Sequence, residues 1–121
     1  MAWTVVFDDD FVDDFRTFDS EVKIELRAMV LLLAERGPEL GRPRADTLNG
    51  SCYANMKELR FDAAGGVWRA AFAFDPDRKA VVLVAADKSS VSEKKFYKKL
   101  INTADRRYEA HLHALKRKDK K

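Results

Sequence analysis

The side chains here that can do chemistry without a metal or a thiol are basic, and they come in quick succession. Arg60 and Arg69 flank a double glycine, Lys88 follows in AADKSS, and Lys94, Lys95 and Tyr97 come soon after. Guanidinium forks bind phosphoryl oxygens in pairs, so such a set suits phosphate chemistry. The competing reading of the two arginines is structural: each could stand on its strand in solvent and hold nothing. Other catalytic vocabulary is missing. The chain has no G-x-S-x-G, no P-loop, no H-E-x-x-H and no C-x-x-C. His111 and His113 are two apart on a predicted helix and point in different directions, a poor metal pair. The aspartates of the Asp8–Asp14 stretch at a helix start fit capping and solvation better than a cation site. The expected site therefore uses no metal and no cofactor.

The element that must position the arginines is the stretch Lys57–Phe74, KELRFDAAGGVWRAAFAF. Two apolar runs around Gly65-Gly66 read as a β-hairpin. Strand alternation puts Leu59 and Phe61 on one face and Glu58 and Arg60 on the other. On the second strand Trp68, Phe72 and Phe74 share a face, and Arg69 lies opposite with Val67, Ala71 and Ala73. Arg69 is accordingly expected in solvent, contributing little to the core.

With 121 residues, 46% of them hydrophobic, the chain is long enough for one domain with a real core. The single cysteine, Cys52, excludes an intramolecular disulfide framework. The N-terminus MAWTVVFDDDF lacks a basic start and a long apolar run, and the longest apolar run, Ala28–Ala34, is far short of a membrane span. The expectation is a soluble cytoplasmic protein that does not engage a membrane. Its net charge of +3 hides an asymmetry. Residues 1–40 carry 10 acidic and 4 basic side chains, whereas residues 87–121 carry 12 basic and 5 acidic. Such a split gives a positive end suited to a polyanion.

In order, Trp3–Phe7 reads as a strand, one of Asp8–Asp10 caps a helix over about Phe11–Phe18, and Ser20 caps a longer helix to about Arg36. Val22, Leu26, Met29, Val30 and Leu33 form its core face, widened by Leu31 and Leu32. Gly37-Pro38 stops it, and residues 37–50 read as loop, with Arg42 and Arg44 either solvated or part of the positive face. Strands follow over about Tyr53–Phe61, the second arm of the hairpin, and Ala80–Ala86, whose continuous apolar run predicts a covered central strand. Ser92 caps a last helix to about Lys116, and residues 117–121 read as a basic, disordered tail of this single 1–121 domain. The order β-α-α-β-β-β-α predicts an α+β fold: an N-terminal strand and helical hairpin, a small, mostly antiparallel sheet and a C-terminal helix.

Four segments, KELRF, GGVWRAAFAF, AVVLVAADKSS and EKKFYKKLINTADRRYEAHL, resemble the RelE/HigB toxins of bacterial type II toxin–antitoxin modules, in the phage-derived Gp49-like branch. The most specific pieces are ELRF, the Trp68-Arg69 pair after the double glycine, and the Asp87-Lys88-Ser89 turn into the last helix. The resemblance implies a RelE-like sheet, ribosome-dependent cleavage of mRNA, and silencing by a small HigA-like helix-turn-helix antitoxin. It places Arg60, Arg69, Lys88 and Tyr97 at the catalytic positions, and Lys57, Lys94, Lys95 and Lys98 are the expected RNA contacts. The reaction would be attack of a ribose 2′-hydroxyl on the adjacent phosphate. Arg69 and Arg60 would stabilise charge, Lys88 or a lysine of the Lys94/Lys95 pair would be the base, and Tyr97 would stack or act as acid. A gyrase-inhibiting ParE-like toxin and a plain nucleic-acid-binding module are the alternatives on the same fold.

Overall fold

The computed structural model describes residues 2–119. Its first strand, β1 (Thr4–Phe7), is a short β-branched segment that ends at Asp8. The Asp8 carboxylate accepts from the backbone N–H groups of Asp10 and Phe11, at 3.1 and 3.2 Å, and so opens helix α1 (Asp9–Arg16). Helix α2 (Ser20–Arg36) follows, but its cap position is Asp19, and Ser20 is its first helical residue. Val22, Leu26, Met29 and Leu33 are buried along it as the periodicity requires, whereas Leu31 is 72% exposed. Two residues on from Met29, Leu31 is turned by about 200° at 3.6 residues per turn, which carries it to the outer side.

Gly37 ends α2 with φ +56°, and a side chain there would run into the Trp3 indole. A 3-10 turn over Gly37–Glu39 follows. The stretch read as loop then contains a strand, β2 (Ala45–Thr47). It pairs antiparallel with β3 (Met56–Ala63), Asp46 facing Glu58. Three residues are too few for sequence alternation to announce, and the strand exists because β3 supplies its partner groups. β3 itself starts later than the apolar pattern suggested. The chain before it is held away from the sheet, with Ser51 Oγ and the Cys52 N–H both donating to Asp105.

β3 turns into β4 (Gly66–Phe74) through Ala64 and Gly65, both at positive φ (51° and 75°), which suits a tight hairpin turn. The strand β5 (Lys79–Asp87) completes a five-stranded sheet in the order β1-β5-β4-β3-β2. Only the β1–β5 pairing is parallel, so the sheet is mixed, as the mostly antiparallel expectation allows. Leu83 has no register partner, because Ala71 faces Val84 and Phe72 faces Val82. This bulge frees the Leu83 carbonyl, which accepts from Arg107 of the last helix at 2.7 Å.

That helix, α3 (Glu93–Asp119), opens with the Ser92 hydroxyl accepting from the Lys95 N–H at 3.3 Å. It continues past Lys116 through residues expected to belong to the tail, and Lys120 and Lys121 lie outside the described residues. The sheet is sandwiched. Leu59, Phe61, Ala70, Phe72 and Val82 pack under α1 and α2, whereas Met56, Ala71, Ala73, Val81 and Leu83 pack under Phe96, Leu100, Ala104 and Tyr108 of α3. No described helix is long and apolar enough to cross a membrane.

Candidate functional site

The hairpin register makes Arg60 and Arg69 direct cross-strand partners. Both therefore rise from the same face of the sheet, the one that α3 packs against. Two residues before Arg60 on that face is Glu58, 3% exposed. Its Oε2 accepts from Arg60 Nε at 3.2 Å and Nη2 at 3.1 Å, and its Oε1 accepts from the Tyr97 hydroxyl at 2.8 Å. Arg69 Nε lies 3.9 Å from the same Oε1, buried and with no hydrogen-bond acceptor, while its Nη1 donates to the Trp68 carbonyl at 2.9 Å. One carboxylate thus gathers two guanidinium groups and a phenol.

Arg69 corrects one expectation. It lies on the predicted face, but its side chain is only 13% exposed, not solvated. The strand pattern gives the face and cannot give the cover, which comes from α3 bringing Tyr97 over it. Burial pushes the Tyr97 phenol above its usual pKa, and its bond to Glu58 adds to the effect, so it holds its proton. Burial works against the charge on Arg60, but the Glu58 and Asp46 carboxylates outweigh it and raise its pKa.

Lys88 leaves β5 toward the same place. Its Nζ lies 5.9 Å from the centre of the Tyr97 ring and 3.0 Å from Glu93 Oε1. Arg60, Arg69, Lys88 and Tyr97 are therefore brought together. The four lysines expected to contact RNA are not. Lys94 lines a hollow of about 390 Å³ with Thr47, Asn49, Glu58, Arg60 and Tyr97. Lys98 is exposed one helical turn further along α3. Lys95 instead borders a separate apolar groove with Val84, Phe96 and Leu100. Lys57 alternates onto the opposite face of the sheet, its Cα paired with Thr47 and Phe72.

Sequence reasoning missed Glu58, although its own alternation placed Glu58 beside Arg60. A carboxylate on a strand face that a helix will cover needs counter-charges, and that was the available signal. It also missed what β2 delivers. Asp46 accepts from Arg42 at 2.8 Å and from Arg60 at 3.5 Å, and Arg44 borders a second hollow of about 460 Å³ with Arg60 and Arg69. The positive residues of the former loop thus belong to this end of the sheet. His111 is engaged elsewhere, 2.8 Å from the buried carboxylate of Asp75. Among the described residues no group of three or more His, Cys, Asp or Glu side chains could hold a metal ion. Chemically, the arrangement can bind an anion between two guanidinium groups, beside a carboxylate able to take a proton and a phenol able to give one.

Residues 13–109 match the family described as phage-derived protein Gp49-like (DUF891). The chain is 40% identical over 95 residues to a Mycobacterium tuberculosis protein named as toxin HigB3, covering 78% of this chain and 81% of that one. It is 42% identical over 86 residues to that organism's HigB2, covering 70% of this chain but only 42% of the longer relative. Its fold matches the free-state structure of a double mutant of the E. coli toxin RelE, with a TM-score of 0.60 over 84% of this chain and 95% of that chain. At 15% identity that likeness bears on the fold alone. Sequence and architecture agree, and the chain belongs to the phage-derived Gp49-like family, among HigB relatives and on a RelE-like fold.

Proposed function

We propose that this protein is the toxin of a type II toxin–antitoxin pair and acts as a ribosome-dependent mRNA endoribonuclease. The observation that carries this reading is the convergence of Arg60, Arg69 and Tyr97 on Glu58. In the free protein the Glu58 carboxylate bonds Arg60 and Tyr97 and leaves Arg69 Nε without an acceptor, so a phosphate can engage the same groups. When the scissile phosphate enters, the guanidinium groups of Arg60 and Arg69 turn to its oxygens and release Glu58 to act as a base.

Glu58 then takes the proton of the ribose 2′-hydroxyl as the 2′-oxygen bonds to phosphorus. The bond from phosphorus to the 5′-oxygen breaks, and that oxygen takes the Tyr97 proton. The two arginines stabilise the charge on the pentacoordinate phosphorane, and the Lys88 ammonium above the Tyr97 ring favours the phenolate that forms. The products are a 2′,3′-cyclic phosphate and a 5′-hydroxyl. A lysine base, the expectation from sequence, suits the geometry less well, because Lys88 is already paired with Glu93 and Glu58 is nearer the centre. The names of the HigB relatives support the toxin role, and such an activity implies a cytoplasmic site of action. A small helix-turn-helix antitoxin encoded beside the gene would silence it.

The test is primer extension on cellular mRNA after brief induction. Expected are new 5′ ends within translated regions, absent from an Arg60→Ala/Arg69→Ala double variant and suppressed by the neighbouring gene product. Inhibited growth with intact mRNA and altered DNA supercoiling would overturn the ribonuclease reading in favour of gyrase inhibition.

A further inference from the structure

The turn from β5 into α3 is held by one carboxylate. Asp87 Oδ1 accepts from the Val67 N–H at 3.1 Å, the Ser89 N–H at 2.9 Å and the Ser89 hydroxyl at 2.6 Å. These bonds, those from Ser89 foremost, hold its pKa below the usual carboxylate value. The N–H of Lys88 donates to the Val67 carbonyl at 2.8 Å, so β5 stays tied to β4 for one residue beyond Asp87.

Closing the turn would need only the bonds to Ser89. The Asp87 carboxylate reaches further, across to the start of β4, and its other oxygen fills the space that a Cβ would occupy on Gly66. Gly66 is not at positive φ, unlike its neighbour Gly65. A glycine is needed at 66 for room, not for backbone freedom. Asp87 thus ties the start of the strand that carries Arg69 to Ser89, the residue that follows Lys88 on the approach to the helix that carries Tyr97.

We infer that Asp87 is a positioning residue of the site, fixing Lys88 over the Tyr97 ring, and that Gly66 is glycine so that the Asp87 carboxylate can lie against it. The inference rests on the ribonuclease reading. In that reading Lys88 must be above Tyr97 when the phenol loses its proton, and a misplacement of about 1 Å can cost on the order of 100-fold in rate.

The experiment measures cleavage of a defined mRNA on translating ribosomes, with melting temperatures, for wild type, Asp87→Ala, Asp87→Asn, Lys88→Ala and the Asp87→Ala/Lys88→Ala double variant. Asp87→Ala should lower the maximal rate by roughly 10- to 100-fold and leave the half-saturating ribosome concentration unchanged. Asp87→Asn keeps an acceptor oxygen and should recover most of the rate. The double variant should be no slower than Lys88→Ala alone, because Asp87 acts through Lys88. Gly66→Ala should reproduce the loss and cost nothing further in the Asp87→Ala background. A double variant that shows the product of both losses, or Asp87→Ala at the wild-type rate, overturns the inference while leaving the ribonuclease reading standing. A wild-type protein that does not cleave overturns both.

Discussion

Arg60 and Arg69 face each other across the β3–β4 hairpin, and both guanidinium groups are turned to the buried carboxylate of Glu58. Like charges directly opposite on neighbouring strands repel, so the pairing needs a shared counter-ion. Glu58 supplies it, and the Tyr97 hydroxyl supplies a further hydrogen bond to the same group. The free site is therefore organised around a negative charge before any substrate arrives.

Arg69→Ala should reduce both stability and activity. The side chain is largely buried beside Glu58, and truncating it leaves that carboxylate one positive neighbour short, a cost of about 1–3 kcal/mol. Cleavage should fall by on the order of 100-fold or more in protein that remains folded. Thermal melts and ribosome cleavage on the same preparation check this. A full cleavage rate in the folded variant would remove Arg69 from the site.

Glu58→Gln separates binding from chemistry. The amide keeps the volume and an acceptor for Tyr97 but removes the charge the two guanidinium groups share, leaving Arg60 only its Asp46 partner. Ribosome affinity should hold or rise, while single-turnover cleavage drops by roughly 100- to 10,000-fold. Normal cleavage would show that Glu58 only holds the arginines in place.

Binding to ribosomes should weaken steeply with salt, through release of counter-ions from the RNA. Lys94 beside the Tyr97 hollow and Lys98 one turn on are placed to contribute. Sedimentation with ribosomes over about 50–200 mM salt should give a shallower log–log slope for Lys94→Ala/Lys98→Ala than for wild type. A flat wild-type response would contradict the electrostatic argument.

Acid should loosen the site end of the sheet first. The Thr47 N–H and Arg42 hold the Asp46 pKa down, and Ser89 does the same for Asp87, both from an ordinary value of 3.8. A depressed carboxylate pKa contributes stability that is present above the unfolded value and lost as pH falls through the folded one. The melting temperature should therefore decline below about pH 4, and Asp46→Asn and Asp87→Asn should each flatten that decline. Melts across a pH series test it.

Arg107→Ala should destabilise without touching the chemistry. The guanidinium, 14% exposed, bonds the bulge carbonyl of Leu83 at 2.7 Å and Asp14 at 2.8 Å, joining α3 to β5 and α1. Losing it should cost about 2–3 kcal/mol. It lies roughly 15 Å further along α3 than Tyr97, so cleavage per folded molecule should be unchanged at a temperature where the variant is folded. Chemical denaturation and a cleavage assay together separate the two effects.

By itself the sequence determined what depends on near neighbours. One of Asp8–Asp10 had to cap α1, and it is Asp8, within reach of the free N–H groups of Asp10 and Phe11, while Ser92 caps α3 for the same reason. Period-two alternation separated Glu58 and Arg60 from Leu59 and Phe61 on one strand, and Arg69 from Trp68 on the next, because successive strand side chains point to opposite sides. The register that puts both arginines on one face came with the fold. The resemblance of ELRF and its companion segments also led to the right family.

Only the tertiary structure decided what depends on long-range pairing. β2 forms because β3 offers it hydrogen-bonding partners, and it brings Asp46, with Arg42 and Arg44 of the turn just before it, to the site from what local sequence reads as loop. Arg69 is buried because Tyr97, distant in sequence, is laid near it by α3, and no strand periodicity reports a covering helix. Lys57 and Lys95 are set apart from Lys94 by which side of sheet and helix they occupy. Glu58 becomes the centre of the site for the same physical reason. A charge removed from water must gather opposite charges and donors around it, and these reach it from β4 and α3 as well as from its own strand.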